Sequence, residues 1–342
     1  MYALFTAFGW QAERDGHIRL VYALLTAALL TGPIAALLAV LLERGYARSI
    51  KAEKPFRTGR AFAFILACYV PMFWVAFPGS FAYDVPYQLR QVVTGTYSTH
   101  HPLLHTLLVG RLLQFGRALG DIDVGAALYT ALQMALLAGC FALTCGSIAR
   151  QSGARAAKKA AVFFALYPLH MVMAVNATKD VIFGGFFALT LALLNETHER
   201  PTRGLTLQIA ACGALTVMLR NNMAYAALVW LALWAIGARR KGKNAALAML
   251  LALVVGLGGN AALKRATCAE NGDMSEMLSW PIQQLARARL YDGDELSDAE
   301  KEAIDELMPG EAWRRYDPTI SDPVKFEFDT QAFRADMKKY TG

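Results

Sequence analysis

Long apolar runs broken by short clusters of charge dominate the chain, at about 20–42, 61–78, 125–148, 160–176, 182–197, 205–219, 223–237 and 244–262. An apolar helix of about 20 residues crosses roughly 30 Å of hydrocarbon, so these runs predict eight membrane spans. The first run is too long for a signal-peptide core and lacks a small-residue cleavage site. Gly32-Pro33 in its middle marks either a kink or a re-entrant hairpin, and the preferred expectation is one retained, kinked span with the N-terminus outside. Runs such as 182–197 are short for a full crossing and predict spans flanked by protein rather than lipid.

Two connecting segments are longer than turns. In the first, 79–124, Leu103, Leu104, Leu107, Leu108, Leu112, Leu113 and Phe115 recur at helical spacing, interrupted by Arg111 and Arg117. That pattern predicts a helix over 103–118 lying along the membrane interface, with a shorter helix over about 87–93 started by Asp84 or Pro86. In the second, 263–342, the composition turns charged: SDAEKEAIDELM reads as an amphipathic helix and RYDPTISDPVKFEFD as turns. The organisation is therefore an N-terminal span and basic loop (1–60), a seven-span module (61–262) and a small external segment (263–342). The chain stops at Lys338-Lys339-Tyr340-Thr341-Gly342 without a closing element, as a fragment would.

Composition agrees with a bilayer as the main solvent, since 56% of the 342 residues are hydrophobic and only 18% charged. The net charge of +7 does not indicate nucleic acid, because Lys and Arg gather in short loops instead of on one amphipathic face. Arg44, Arg48, Lys51, Lys54, Arg57 and Arg60 fill one loop; Arg150, Arg155, Lys158 and Lys159 another; Arg200 and Arg203 a third; Arg239, Arg240, Lys241 and Lys243 a fourth. The positive-inside rule makes these four cytoplasmic and puts 79–124 and 263–342 outside a multi-pass plasma-membrane protein. Cys68, Cys140, Cys145 and Cys212 lie in apolar runs and Cys268 stands alone, which gives neither a disulfide framework nor metal-ligand spacing.

Ionisable residues at the outer ends of the spans are the functional candidates. They are Asp84, the pair His100-His101 with His105, Lys179-Asp180 at one tight outer turn, and Arg220-Asn221-Asn222 at the next. Each has a plain alternative: Asp84 and His101 as helix caps, Lys179-Asp180 as a local ion pair, Arg220 reaching for head groups. Together they suit one chemistry. An aspartate takes a proton from an acceptor hydroxyl while Lys and Arg stabilise a phosphate leaving group whose lipid tail stays in the bilayer. Asp84 and the cations are then expected to line one cavity about a sugar apart, without a direct salt bridge.

The sequence resembles the GT-C superfamily of polyprenyl-phosphate-sugar-dependent membrane glycosyltransferases, and more closely an uncharacterised bacterial branch. The matching motifs are Pro78-Gly79-Ser80-Phe81-Ala82-Tyr83-Asp84 with Gln88, Tyr97-Ser98-Thr99-His100-His101-Pro102, Lys179-Asp180-Val181-Ile182-Phe183, Arg220-Asn221-Asn222, and Pro281-Ile282-Gln283-Gln284-Leu285-Ala286-Arg287. The resemblance implies an all-α, GT-C-like helical bundle with juxtamembrane helices in the first outer loop and a small C-terminal extramembrane segment. It also implies transfer of a sugar from a polyprenyl-phosphate donor to a glycan, lipid or protein on the outer face. Asp84 is then the base; Lys179, Arg220, His100, His101 and Arg287 bind phosphate or donor; Tyr83, Gln88, Asp180, Asn221, Asn222, Gln283 and Gln284 complete the site. Two features depart from the pattern: the paired acidic motif of many relatives is reduced to Tyr83-Asp84, and the usual spans after the second outer segment are missing. No firm cofactor follows; a divalent cation between Asp84 and Asp180 stays open. The rival readings are a transporter or flippase, which calls for inverted repeats and midplane charges, and a non-catalytic assembly protein.

Overall fold

The computed structural model describes residues 55–237 and 242–335. The first apolar run, most of the first basic loop, residues 238–241 and the chain end from 336 lie outside the described residues, as does the expected orientation of the N-terminus. Helix α1 (Thr58–Val75) leads through the two-residue strand β1 (Ser80–Phe81) to α2 (Val85–Thr94) and α3 (Leu103–Ala118). Then come α4 (Ile122–Ser152), α5 (Ala154–Leu166), α6 (Pro168–Ala174), β2 (Asn176–Ala177), α7 (Lys179–Glu199), α8 (Arg203–Leu219), α9 (Met223–Gly237) and α10 (Lys243–Thr267). Helices α11 (Ser279–Tyr291), α12 (Asp298–Leu307), α13 (Asp322–Lys325) and α14 (Thr330–Ala335) complete the described chain.

Among the described residues, α1, α4, α7 and α10 are long and apolar enough to cross a membrane, while α8 and α9 are shorter apolar helices. The run over 160–176, expected as one span, is two helices. Pro168 disfavours helical geometry at the residue before it, and Tyr167 is extended at φ −67°, ψ 118°. The two expected helices of the first long loop are present, and α3 coincides with 103–118. Its buried face carries Leu103, His105, Thr106, Val109, Leu113 and the two glycines 110 and 116, packed on α2 and α4.

The chain passes back and forth, α4 and α7 running one way with α5 and α6 returning between them, so helix ends collect in two groups. At one end Arg150 reaches Glu196 (Nη2 to Oε2, 2.8 Å), which also accepts from Ser147 Oγ at 2.7 Å, tying α4 to α7 beside the basic connections. At the other end meet β1, β2, the starts of α2, α7 and α9, the end of α8 and the segment after α10. That segment is a unit with its own apolar core: Ile282, Ala286, Ile304, Leu307, Met308, Trp313, Val324, Phe328 and Phe333. The SDAEKEAIDELM segment contains α12, started by a capping box between Ser297 and Glu300.

Candidate functional site

A two-rung parallel ladder builds the site. Ser80 N donates to Val175 O (2.9 Å) and Ala82 N to Ala177 O (3.1 Å), which sets Ser80 opposite Asn176 and Phe81 opposite Ala177. Asp84 comes soon after Phe81 and Lys179 soon after Ala177, so the ladder delivers both side chains to one place. Gly79 makes the approach possible. Its φ of +124° is one that side-chain-bearing residues avoid, and a Cβ there would collide with Thr130 Oγ1 of α4. The preceding Phe77-Pro78 peptide is cis.

Asp84 occupies the N-cap position of α2 without a side-chain capping bond. Its Oδ2 accepts instead from Lys179 Nζ, which corrects the expectation that base and cation stand a sugar apart. The reason is geometric, because the ladder brings the two backbones too close to leave a gap between a carboxylate and a long ammonium side chain. Burial raises the Asp84 carboxyl, but the hydrogen bond and charge of Lys179, helped by His101 and His100, outweigh it and hold the group below its usual range. Thr178 caps α7 by accepting from Asp180 N, and Asp180 pairs with Arg220, whose guanidinium lies 5.6 Å from the centre of the Phe183 ring. The local Lys179-Asp180 pair is thus replaced by two longer-range pairs.

The histidines sit on a loop held from several sides. Thr99 N donates to Glu270 O (2.9 Å), Thr99 Oγ1 accepts from Gly272 N (2.9 Å), and Asn221 Nδ2 donates to Thr99 O (3.3 Å). A Cβ at Gly272 would come 3.0 Å from the His100 backbone, so the segment after α10 presses directly on the loop. His101 Nδ1 lies 3.9 Å from Asp84 Oδ2 and His100 Nδ1 3.9 Å from Glu276 Oε1. Neither caps α3, whose N-cap is Pro102 without a side-chain bond. Burial, only partly offset by Asp84, pushes His101 down to about 4, so its ring is neutral near pH 7.

These residues line one open cleft of about 1310 Å³. Tyr83, Asp84, His100, His101, Lys179, Arg220, Asn221 and Asn222 are all on its wall. Six sequence candidates are not, among them Asp180, which is held on Arg220, and His105, which is fully buried. Gln88 is fully buried beneath the cleft; Gln283 braces the Asp317 carbonyl at 3.2 Å; Gln284 and Arg287 are exposed on α11, away from the cleft. The opposite wall holds residues that sequence reasoning missed, chiefly Lys325. Its Nζ reaches Glu276 (2.9 Å) and Asp322 (2.6 Å), and these bonds hold the buried ammonium above its usual range against the opposing effect of desolvation. Nothing in RYDPTISDPVKFEFD marks this lysine, because its partners come from the fold. No group of three or more His, Cys, Asp and Glu side chains among the described residues is arranged to hold a metal; Asp84 and Asp180 each face a cation instead.

Fold and site define a helical protein with, among the described residues, four helices of membrane-crossing length and apolarity and a charged cleft gathered at one end of the bundle. The chain belongs to the family of unknown function DUF6020, which matches residues 93–334. That stretch contains the histidine pair, Lys179 and Arg220, and begins after Asp84. No curated protein and no solved structure matches the chain.

Proposed function

We propose that this is a multi-pass plasma-membrane glycosyltransferase of the GT-C type, moving a sugar from a polyprenyl-phosphate-type lipid donor to an acceptor on the outer face. The observation that carries the reading is the meeting of Asp84, Lys179 and Arg220 on one cleft, at the end of the apolar helices opposite the basic connections. Lys and Arg loops mark the cytoplasmic side, which directs the cleft outward. Its volume, about 1310 Å³, exceeds the roughly 300–1,000 Å³ typical of a site for one small ligand and leaves room for a donor head group and an acceptor.

A donor phosphate competes with Asp84 for Lys179 and with Asp180 for Arg220, since both cations prefer a charge-assisted partner. Once phosphate takes the ammonium, the Asp84 carboxylate is released to accept a proton. The acceptor hydroxyl then attacks the anomeric carbon, the bond from that carbon to the phosphate oxygen breaks, and the electron pair leaves with the phosphate, where Lys179 and Arg220 stabilise it. The hydroxyl proton goes to Asp84. This exchange reconciles a base and a cation that touch with a reaction that places a sugar between them.

The test uses purified full-length protein with labelled polyprenyl-phosphate sugars and membrane extracts as acceptor. Asp84→Asn is expected to abolish transfer while retaining donor binding, and Lys179→Met to weaken donor binding. Full transfer by Asp84→Asn would sink the mechanism, and no transfer by the unmodified protein would favour the assembly-protein reading.

A further inference from the structure

A buried chain of polar side chains runs beneath the cleft without lining it. Gln133 of α4 donates from Nε2 toward the carbonyls of Met173 (3.3 Å), Ala174 (3.0 Å) and Asn176 (2.9 Å). Its Oε1 accepts from Tyr129 Oη at 2.9 Å. Tyr129 Oη lies 2.7 Å from His105 Nε2, and His105 Nδ1 lies 3.0 Å from the side-chain amide of Gln88. All four side chains are 0% exposed.

The carbonyls around β2 divide between two partners. Those of Val175 and Ala177 accept from Ser80 and Ala82 of the neighbouring strand segment, while those of Ala174 and Asn176 point the other way and accept from Gln133. Gln133 therefore stands where a third strand would, and grips the segment that ends two residues before Lys179. The far end of the chain, Gln88, sits on α2, which begins at the residue after Asp84. Burying four polar side chains is unfavourable unless each is bonded, and apolar residues of similar size would fill the same volumes without that demand. Turning the Gln88 amide by half a turn gives its Nε2, buried without a partner among the described residues, the His105 Nδ1 lone pair.

We propose that Gln133, Tyr129, His105 and Gln88 are positioning residues of the cleft: they fix the register of β2 against β1 and so hold the Lys179 ammonium on the Asp84 carboxylate. A slip of one residue in a strand displaces the downstream chain by about 3.3 Å, enough to separate the pair. The role is independent of the reaction the cleft performs, so its test reads geometry and not turnover.

The measurement is the rate at which Lys179 is reductively methylated in the full chain in detergent, followed by peptide mass spectrometry and referenced to Lys301 on α12. Losing its charge-assisted partner in Asp84→Asn should raise the Lys179 rate by about tenfold. Tyr129→Phe and Gln133→Leu should raise it by at least about threefold, a fraction of that same loss. Glu196→Gln, which breaks the Arg150 pair at the other end of the bundle, should lower the thermal midpoint and leave the Lys179 rate unchanged. Tyr129→Phe and Gln133→Leu variants that lower the midpoint with an unchanged Lys179 rate would overturn the proposal, as would an equal rise in Glu196→Gln or no rise in Asp84→Asn. Should Gln133→Leu not fold, Tyr129→Phe, which removes a single oxygen, decides the matter alone.

Discussion

The ammonium of Lys179 bonds to the carboxylate of Asp84 across 95 positions of sequence, joining the starts of two helices through the strand pair that precedes them. Both side chains are well shielded, at 19% and 25% exposed, so the pair is worth more than a surface salt bridge and its loss leaves an uncompensated charge.

Removing one partner should be worse than removing both. Asp84→Asn is expected to destabilise the protein by about 1–3 kcal/mol because Lys179 stays behind half-buried, and the double variant Asp84→Asn, Lys179→Met should recover part of the loss. Denaturation midpoints of the four proteins in the cycle give the coupling directly. Additive losses would mean that the two groups do not interact.

Stability should fall as the medium is acidified from about pH 6.5 toward pH 4. Burial holds His101 down at about 4 and His105 at about 3, so both are neutral in the fold, whereas the unfolded chain takes up protons near 6.5. With more protons bound in the unfolded state, stability rises with pH across this window, by up to about 1.4 kcal/mol per pH unit for each histidine. Asp84, held low, adds little over most of this window, since its contribution is present above the ordinary carboxylate value and is lost as pH falls through that value. Thermal midpoints measured between pH 4.5 and 7 should show the slope, and His101→Asn should reduce it.

Gly79→Ala should be strongly unfavourable, by about 1–3 kcal/mol, because it meets both a positive φ and Thr130. Gly184→Ala on α7, where an added Cβ meets nothing within 4 Å, should be neutral or slightly stabilising. A comparison of the two midpoints checks this contrast, and equal effects would show that the turn at Gly79 is not a tight one.

Orientation is testable with the exposed native Cys268, which ends α10 on the cleft side. A membrane-impermeant maleimide applied to intact cells should label it, and should leave Lys158→Cys in a Cys268→Ser background unlabelled. The opposite pattern would move every cleft residue to the cytoplasmic face.

The alternation of apolar runs and basic connections was enough to place most of the helices, because the hydrophobic requirement is local and additive along the chain. The same holds for α3, whose leucine spacing marks its length, and for α12, whose Ser297 and Glu300 signal its start. The residues of the cleft wall from Tyr83 to Arg220 were also legible, since charge at the end of an apolar run stands out. Tertiary structure alone decided the rest. Pairing partners depend on which chain ends come together, so the sequence neighbours Lys179 and Asp180 went to Asp84 and Arg220. Lys325 became part of the wall because the segment after α10 folds back with its own core. Tyr129 and Gln133 lie inside the 125–148 apolar run, where nothing in the sequence marks them. Only the strand of backbone laid against them, with carbonyls that need donors, turns them into the floor of the site.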